Sequence, residues 1–454
     1  MKTSRLSAPR TRDMNSGSPV RQILVFAAPL FIGNLVQEIY TMVDTMEMGY
    51  FVGDSAIAAI GAASALYSLL MSLTISMNSG YAILVTQAFG ARDAVRLRRS
   101  VAGTFVLNGG ITVLVTVLSL AFLRRLLHFM NTPQGIFEQT YIYMWILCAG
   151  ICATVGYNMF AGILRAVGDS RTPLYVLMIS SAVNIALDLF LILVMGLGVV
   201  GTALGTVLAQ GLSALLCAGA LWKYYREILP KRGDFAASRS MWPQLAGFGV
   251  SMAMMLCVVN LGTLIFQRAN NVLGESMIAA YTASRKIIVA FMQPLSTIAA
   301  ANSTFVSQNW GAKRYDRIRT TLWKVMGLEA AWGIIACTVV YLIGGPLMRL
   351  ITGTQDAEII SGGILAMRIN LPFFPILGIL LCLRTAMQSM GYKAAPVASS
   401  CIELLMKGIG ASLWIPAWGY LGTCVTEPVS WVFMTGFLTT AYWIQRKKIF
   451  PAEA

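Results

Sequence analysis

The sequence predicts an all-α polytopic membrane protein with twelve transmembrane helices in two pseudo-twofold-related bundles of six. Three observations predict it. Of 454 residues, 57% are hydrophobic and 12% charged, against roughly 45–50% and 25% in soluble chains, which leaves too little polar surface to coat a water-soluble globule. The apolar residues gather in blocks long enough for a helix to cross about 30 Å of hydrocarbon at about 1.5 Å per residue. The chain also repeats itself at a spacing of 221 residues. Disorder, a collagen-like repeat and a small disulfide scaffold are excluded by the same composition.

The elements follow in order. Residues 1–21, with Arg5, Arg10, Arg12 and Arg21, resemble the basic start of a secretory signal. The next block, however, carries Asn34, Gln37, Glu38 and Asp44 and lacks a clear small-residue cleavage site, so the segment is read as an uncleaved cytoplasmic tail. Six apolar blocks then form a first lobe over 22–222: 23–43, 56–80, 101–123, 141–164, 172–195 and 199–222. A basic cytoplasmic linker is expected at 223–241, with Pro230 and Gly233. The second lobe, 242–445, holds blocks 242–266, 277–306, 321–343, 360–383, 395–415 and 421–444, and 446–454 is a second cytoplasmic tail.

Lys and Arg fall between these blocks. On the side holding both termini 25 lie outside the spans, and on the other side only Arg124, Arg125, Arg268 and Arg349. Cationic loops near helix ends stay cytoplasmic, so both termini are placed inside. The net charge of +15 is therefore a matter of topology, and nucleic acid is not an expected partner. The cysteines sit singly in apolar runs or, as Cys148 and Cys152, one turn apart inside a span, which suits packing better than metal or disulfide chemistry. His128, beside Arg124 and Arg125, is read as a polar anchor at the external interface.

Shifted by 221, residues 53–98 align with 274–319 without a gap at 13 identities in 46 positions, where about three arise by chance. Gly53-Asp54-Ser55 faces Gly274-Glu275-Ser276, and Gln87, Gly90, Ala91, Arg96 and Arg98 face Gln308, Gly311, Ala312, Arg317 and Arg319. Gly198, Gly201 and Thr202 match Gly419, Gly422 and Thr423 at the same offset, while Gly168 and Pro173 match Gly391 and Pro396 at 223. Corresponding loops lie six spans apart, so this is a parallel repeat about an axis along the membrane normal. Such repeats suit alternating access, with a fused structural dimer as the alternative.

Pro29, Val43-Asp44-Thr45 with Gly49 and Gly53, the two Gln-x-x-Gly-Ala corners at 87–91 and 308–312, and Asn184-x-x-x-Asp188 together resemble the multidrug and toxic compound extrusion (MATE) family. The resemblance covers nearly the whole chain. It implies two six-helix lobes arranged as a V and cation-driven antiport of drugs or other organic cations. The basic-acidic signature of major-facilitator transporters is absent from the loop between spans two and three.

Acids inside spans are few: Glu38 and Asp44 in the first, with Glu47 just beyond it, then Asp188, Glu329, Glu403 and Glu427. A charge at the bilayer centre costs about 2.5–3.5 kcal/mol on insertion scales, so each asks for a partner, a watery cavity or a proton. Asn184 and Asp188 share a helix face, and Thr202 and Thr206 are likewise four apart. One branch of the family uses an aspartate on the first helix, Asn-x-x-x-Asp on the fifth and a threonine on the sixth. The resemblance therefore implies cation coupling at Asp44, Asn184, Asp188 and Thr206, with H+ or Na+ as the ion, and a bend at Pro29, where a backbone hydrogen bond is lost. A hydrogen bond confined to its lobe is the alternative for Asp188.

A second branch places coupling carboxylates on spans seven and ten. Here span seven offers Asn260 and Gln267 and span ten no acid. Glu403 stands four residues before Lys407, which predicts an ion pair along one helix face, with Glu427 nearby; Glu38, Glu47 and this group are also candidates for a cavity that attracts cations. Tyr40, Tyr67, Tyr157, Trp414 and Trp431 are possible ring cages for an organic cation or, alternatively, packing residues. The expected function is secondary active efflux of amphipathic, usually cationic compounds. The alternative is a lipid-linked saccharide or lipid flippase. No enzyme constellation, no Walker-type loop and no cofactor beyond the coupling ion are expected. The expected partners are small amphipathic substrates and membrane lipids, with the chain working as a monomer in the bacterial inner membrane.

Overall fold

A computed structural model describes residues 12–52 and 54–449, all of their regular structure helical. The first half contains α1 (Pro19–Phe51), α2 (Asp54–Gly90), α3 (Ala94–Phe129), α4 (Gln134–Ala149), α5 (Ile151–Ala166), α6 (Arg171–Leu189) and α7 (Val199–Tyr224). A short α8 (Arg232–Ala237) follows, then α9 (Trp242–Asn270), α10 (Glu275–Gly311), α11 (Tyr315–Thr352), α12 (Ala357–Asn370), α13 (Phe374–Ser389), α14 (Ala394–Ile409), α15 (Ile415–Trp418) and α16 (Tyr420–Ile449). Asp93 starts α3 by accepting from the N–H groups of Val95 and Arg96 at 3.1 and 2.9 Å. Asp169 does the same for α6 through Arg171 and Thr172.

All twelve expected blocks lie on helix. The fourth is α4 and α5 bent by 44° at Gly150, and the tenth is α12 and α13 joined by the turn Leu371–Phe373. Among the described residues nine helices are long and apolar enough to cross a membrane, or ten with the bent pair taken as one span. The two blocks outside that measure are α14 with α15, and α16. They carry Glu403, Lys407 and Glu427, charges matched within the fold rather than omitted from the span.

The chain forms two compact units. One comprises Ala28–Ala253 with residues 12–14, and the other Asn15–Ala27 with residues 254–449. The backbone repeats at the corners of both halves. Arg92 and Lys313 have φ of 55° and 58°, Gly168 and Gly391 of 86° and 93°, and Gly198 and Gly419 of 51° and 56°. The left-handed conformation is costly except for glycine, so its recurrence at matched positions marks a duplication of backbone as well as sequence. A π-turn also recurs, at Phe190–Val194 and Gly410–Trp414.

The expected linker is helical over much of its length. Tight turns at Arg226–Ile228 and Ser238–Met241 flank α8, and Asp234 accepts from the Lys231 N–H at 2.9 Å and from Arg98 Nε of α3 at 3.2 Å. Tyr225 donates to Asp169 at 2.8 Å. Replacing Asp234 by Ala removes a cap and an ion pair, worth about 1 kcal/mol of local stability. Limited trypsin digestion is expected to cut the 223–239 segment several-fold faster in Asp234→Ala. Residues 1–11 and 450–454 of the two expected tails lie outside the described residues.

Candidate cation-binding site

In the first unit, α1 runs alongside α6 and against α7. A side chain on Gly33 would meet Leu174 and Leu177 of α6, both at 3.8 Å, and one on Gly198, at the start of α7, would meet Val52 at the end of α1. Tyr40 of α1 lies within hydrogen-bonding reach of Thr206 of α7. Advancing along α1 thus means advancing along α6 and retreating along α7, as expected for spans one, five and six.

This alignment brings three acids together. Carboxylate oxygens of Asp44, Glu47 and Asp188 all lie within 4.8 Å of one another. Asp188 and Asn184 are 1% exposed and Glu47 is 7% exposed. Both carboxylate oxygens of Asp188, both amide atoms of Asn184, one oxygen of Asp44 and one of Glu47 are buried without a hydrogen bond of good geometry, though Asp188 lies within reach of both Asn184 and Asp44. Buried polar atoms are almost always paired, so this concentration of orphans marks a place prepared for something else to complete.

Two negative charges about 5 Å apart repel by about 3 kcal/mol at an effective dielectric near 20. A proton or a small hard cation among the three acids relieves that repulsion. Carboxylate and amide oxygens suit Na+ as hard ligands, and the same oxygens accept a proton.

The niche exists because of a residue that sequence reasoning passed over. A Cβ on Gly205 of α7 would sit 1.8 Å from Asp188 Oδ1 and 3.5 Å from Asn184 Nδ2. The spacing Gly201-x-x-x-Gly205 was the available signal, since small residues four apart let helices approach closely. Tyr143 of α4 joins Tyr40 near Asp44, with Tyr67 beside both tyrosines, and Tyr67 meets Thr154 at 3.4 Å.

Other candidates lie elsewhere. Glu38 is exposed. Thr206 faces Tyr40, and Thr202 is buried one turn earlier. Pro29 is interior to α1, two residues beyond the point where the chain passes from one compact unit to the other. In the second unit Lys407 donates to Glu403 at 2.9 Å and to Thr263 at 3.0 Å, and Glu427 is paired with Arg285. Glu329 is fully buried, with Gly378 packed on its Cβ side and both carboxyl oxygens without partners.

Extending the 221 register places Ile265 opposite Asp44 and Arg268 opposite Glu47, and the 223 register places Lys407 opposite Asn184 and Ala411 opposite Asp188. The acid cluster thus belongs to the first half alone.

Duplicated helical bundles of membrane-crossing length, with an acid cluster buried in one of them, define a multi-pass membrane transporter rather than an enzyme. The MatE family model matches twice, over residues 29–190 and again over 251–411, once in each half. The chain belongs to the MATE family. It is 27% identical over 358 residues to the probable multidrug resistance protein YoeA of Bacillus subtilis, covering 77% of each chain. It is 22% identical over 391 residues to the probable multidrug resistance protein NorM of Thermotoga maritima, covering 85% of this chain and 83% of that one. A crystal structure described as MATE in the bent conformation superposes with a TM-score of 0.88 at 19% identity over 99% of both chains.

Proposed function

We propose that this transporter is a secondary active exporter of amphipathic, usually cationic compounds, exchanging them for H+ or Na+ by alternating access. The observation that carries this reading is the convergence of Asp44, Glu47 and Asp188 beside Asn184. Its relatives in Bacillus subtilis and Thermotoga maritima bear multidrug resistance names, in keeping with such cargo.

In this mechanism the coupling ion is a substrate held by side-chain oxygens. With the ion absent, repulsion separates the two acids of α1 from Asp188 of α6. With the ion bound, the helices are drawn together. Pro29 removes the hydrogen bond to the carbonyl of Val25 and lets α1 bend, so that a local charge event moves the helix. One charge crossing the membrane supplies about 2.3 kcal/mol per 100 mV, comparable with the repulsion of about 3 kcal/mol between two of the acids. The drive and the switch are therefore matched in size. Both termini are placed in the cytoplasm by the loop charges, and the chain is taken to work as a monomer in the cell membrane.

Uptake of a fluorescent organic cation by everted vesicles, energised separately by pH and Na+ gradients, tests this reading. One gradient is expected to drive accumulation and the other to add little. If neither moves the dye while the protein scrambles lipid, the flippase alternative replaces this one.

A further inference from the structure

The second unit holds a charged cluster of opposite balance. Arg285 of α10 pairs with Glu427 of α16, and Lys407 pairs with Glu403 on α14. Both acids are thus engaged. Among the described residues Arg384 of α13 has no acid within ion-pairing distance. Its Nε donates to Met255 Sδ of α9 at 2.9 Å, and a terminal nitrogen donates to the Ser400 hydroxyl of α14. A guanidinium has five N–H donors and a thioether is a weak acceptor, so Arg384 keeps donors to spare.

Glu403 lies close enough to act electrostatically on both Arg285 and Arg384. Three cations and two acids therefore form one group with a net charge of +1. Arg384 lies within Ala357–Ser389, a stretch long and apolar enough to cross a membrane, in which arginine is costly and persists where it has work to do. Arg384 is half-buried, so its fork is not sealed away from a ligand. Planar guanidinium and planar carboxylate fit through parallel hydrogen bonds, and a monoanion is what a surplus of one positive charge neutralises.

We propose that Arg384, with Lys407 and Arg285 behind it, is a specificity-determining residue that binds the carboxylate of those transported compounds that carry one. The inference rests on the export reading and deepens it. The acid cluster of the first unit takes the coupling ion, and this cluster selects an anionic group on the substrate.

The test uses a matched pair of dyes, rhodamine 19 with a free carboxyl and its ethyl ester rhodamine 6G, titrated by fluorescence anisotropy into the purified full-length protein. Arg384→Gln is expected to weaken binding of the acid by about tenfold, as for loss of a charge-assisted pair, and of the ester by less than about twofold. Arg384→Lys should recover part of the loss. Equal weakening for both dyes, or wild-type protein that binds only the ester, overturns the proposal. Should Arg384→Gln fail to accumulate, displacement from the wild type decides. Benzoate must release rhodamine 19 and leave rhodamine 6G bound, and release of both or neither counts against the site. Export of the ester by vesicles is scored separately. Its absence removes the export reading, while Arg384-dependent binding of the acid stands or falls on the titration.

Discussion

Asp188→Asn is expected to reduce dye efflux to near the background of cells without the transporter, at unchanged surface expression. The substitution keeps the shape of the side chain and removes one of three charges whose oxygens lie within 4.8 Å of one another. Losing about 3 kcal/mol of attraction for a cation corresponds to roughly a hundredfold in affinity, so at ordinary ion concentrations the site stays empty and the gradient has nothing to grip. Asp44→Asn should act in the same way from the opposite helix. Full efflux by both variants would remove the site from the mechanism. Carbonyl and amide groups of the new asparagines cannot bind and release a proton, so compensation by the substituted side chain is not expected in a proton-coupled cycle.

Gly205→Ala is the second large effect, and it changes no charge. The added methyl would fall 1.8 Å from Asp188 Oδ1, so the carboxylate must leave its niche and the acid cluster comes apart. Stability should respond much less. Alanine is favoured over glycine in a helix by about 1 kcal/mol, which offsets part of an overpacking cost of about 1–3 kcal/mol. The expected outcome is a well-folded protein, by melting temperature, whose efflux is as poor as that of Asp188→Asn. Normal efflux would mean that the placement of Asp188 against α7 is immaterial to transport.

These two substitutions also show what the amino-acid sequence could disclose. Asp44, Asn184 and Asp188 stand out in a linear reading because acids and amides are costly in apolar runs. The pairing of Glu403 with Lys407 is visible because residues four apart share a helix face. Contacts through space leave no such trace. Arg285 is 142 residues from Glu427, and in a linear reading Glu47 is only a possible cavity acid, because its place beside Asp188 depends on α1 and α6 lying side by side.

Gly205 was missed for a different reason. Its function is to leave room, and a glycine among many in a membrane helix advertises that weakly. Helix positions were legible at every block because hydrophobic length dictates them, whereas the π-turns and the helical course of 223–241 depend on local packing that no periodicity encodes. Hydrophobic length also does not say which span is interrupted, as α4 and α5 are at Gly150.

The central claim is that the first unit captures a cation between α1 and α6. It is tested most directly by counting cations taken up by the purified full-length protein, protons by titration and sodium by equilibrium dialysis with radioactive Na+. Wild type is compared with the double variant Asp44→Asn/Asp188→Asn. The account predicts that the wild type binds about one cation more per chain than the variant near neutral pH, as coupled carboxylates require. Identical uptake of both ions by the two proteins would contradict it.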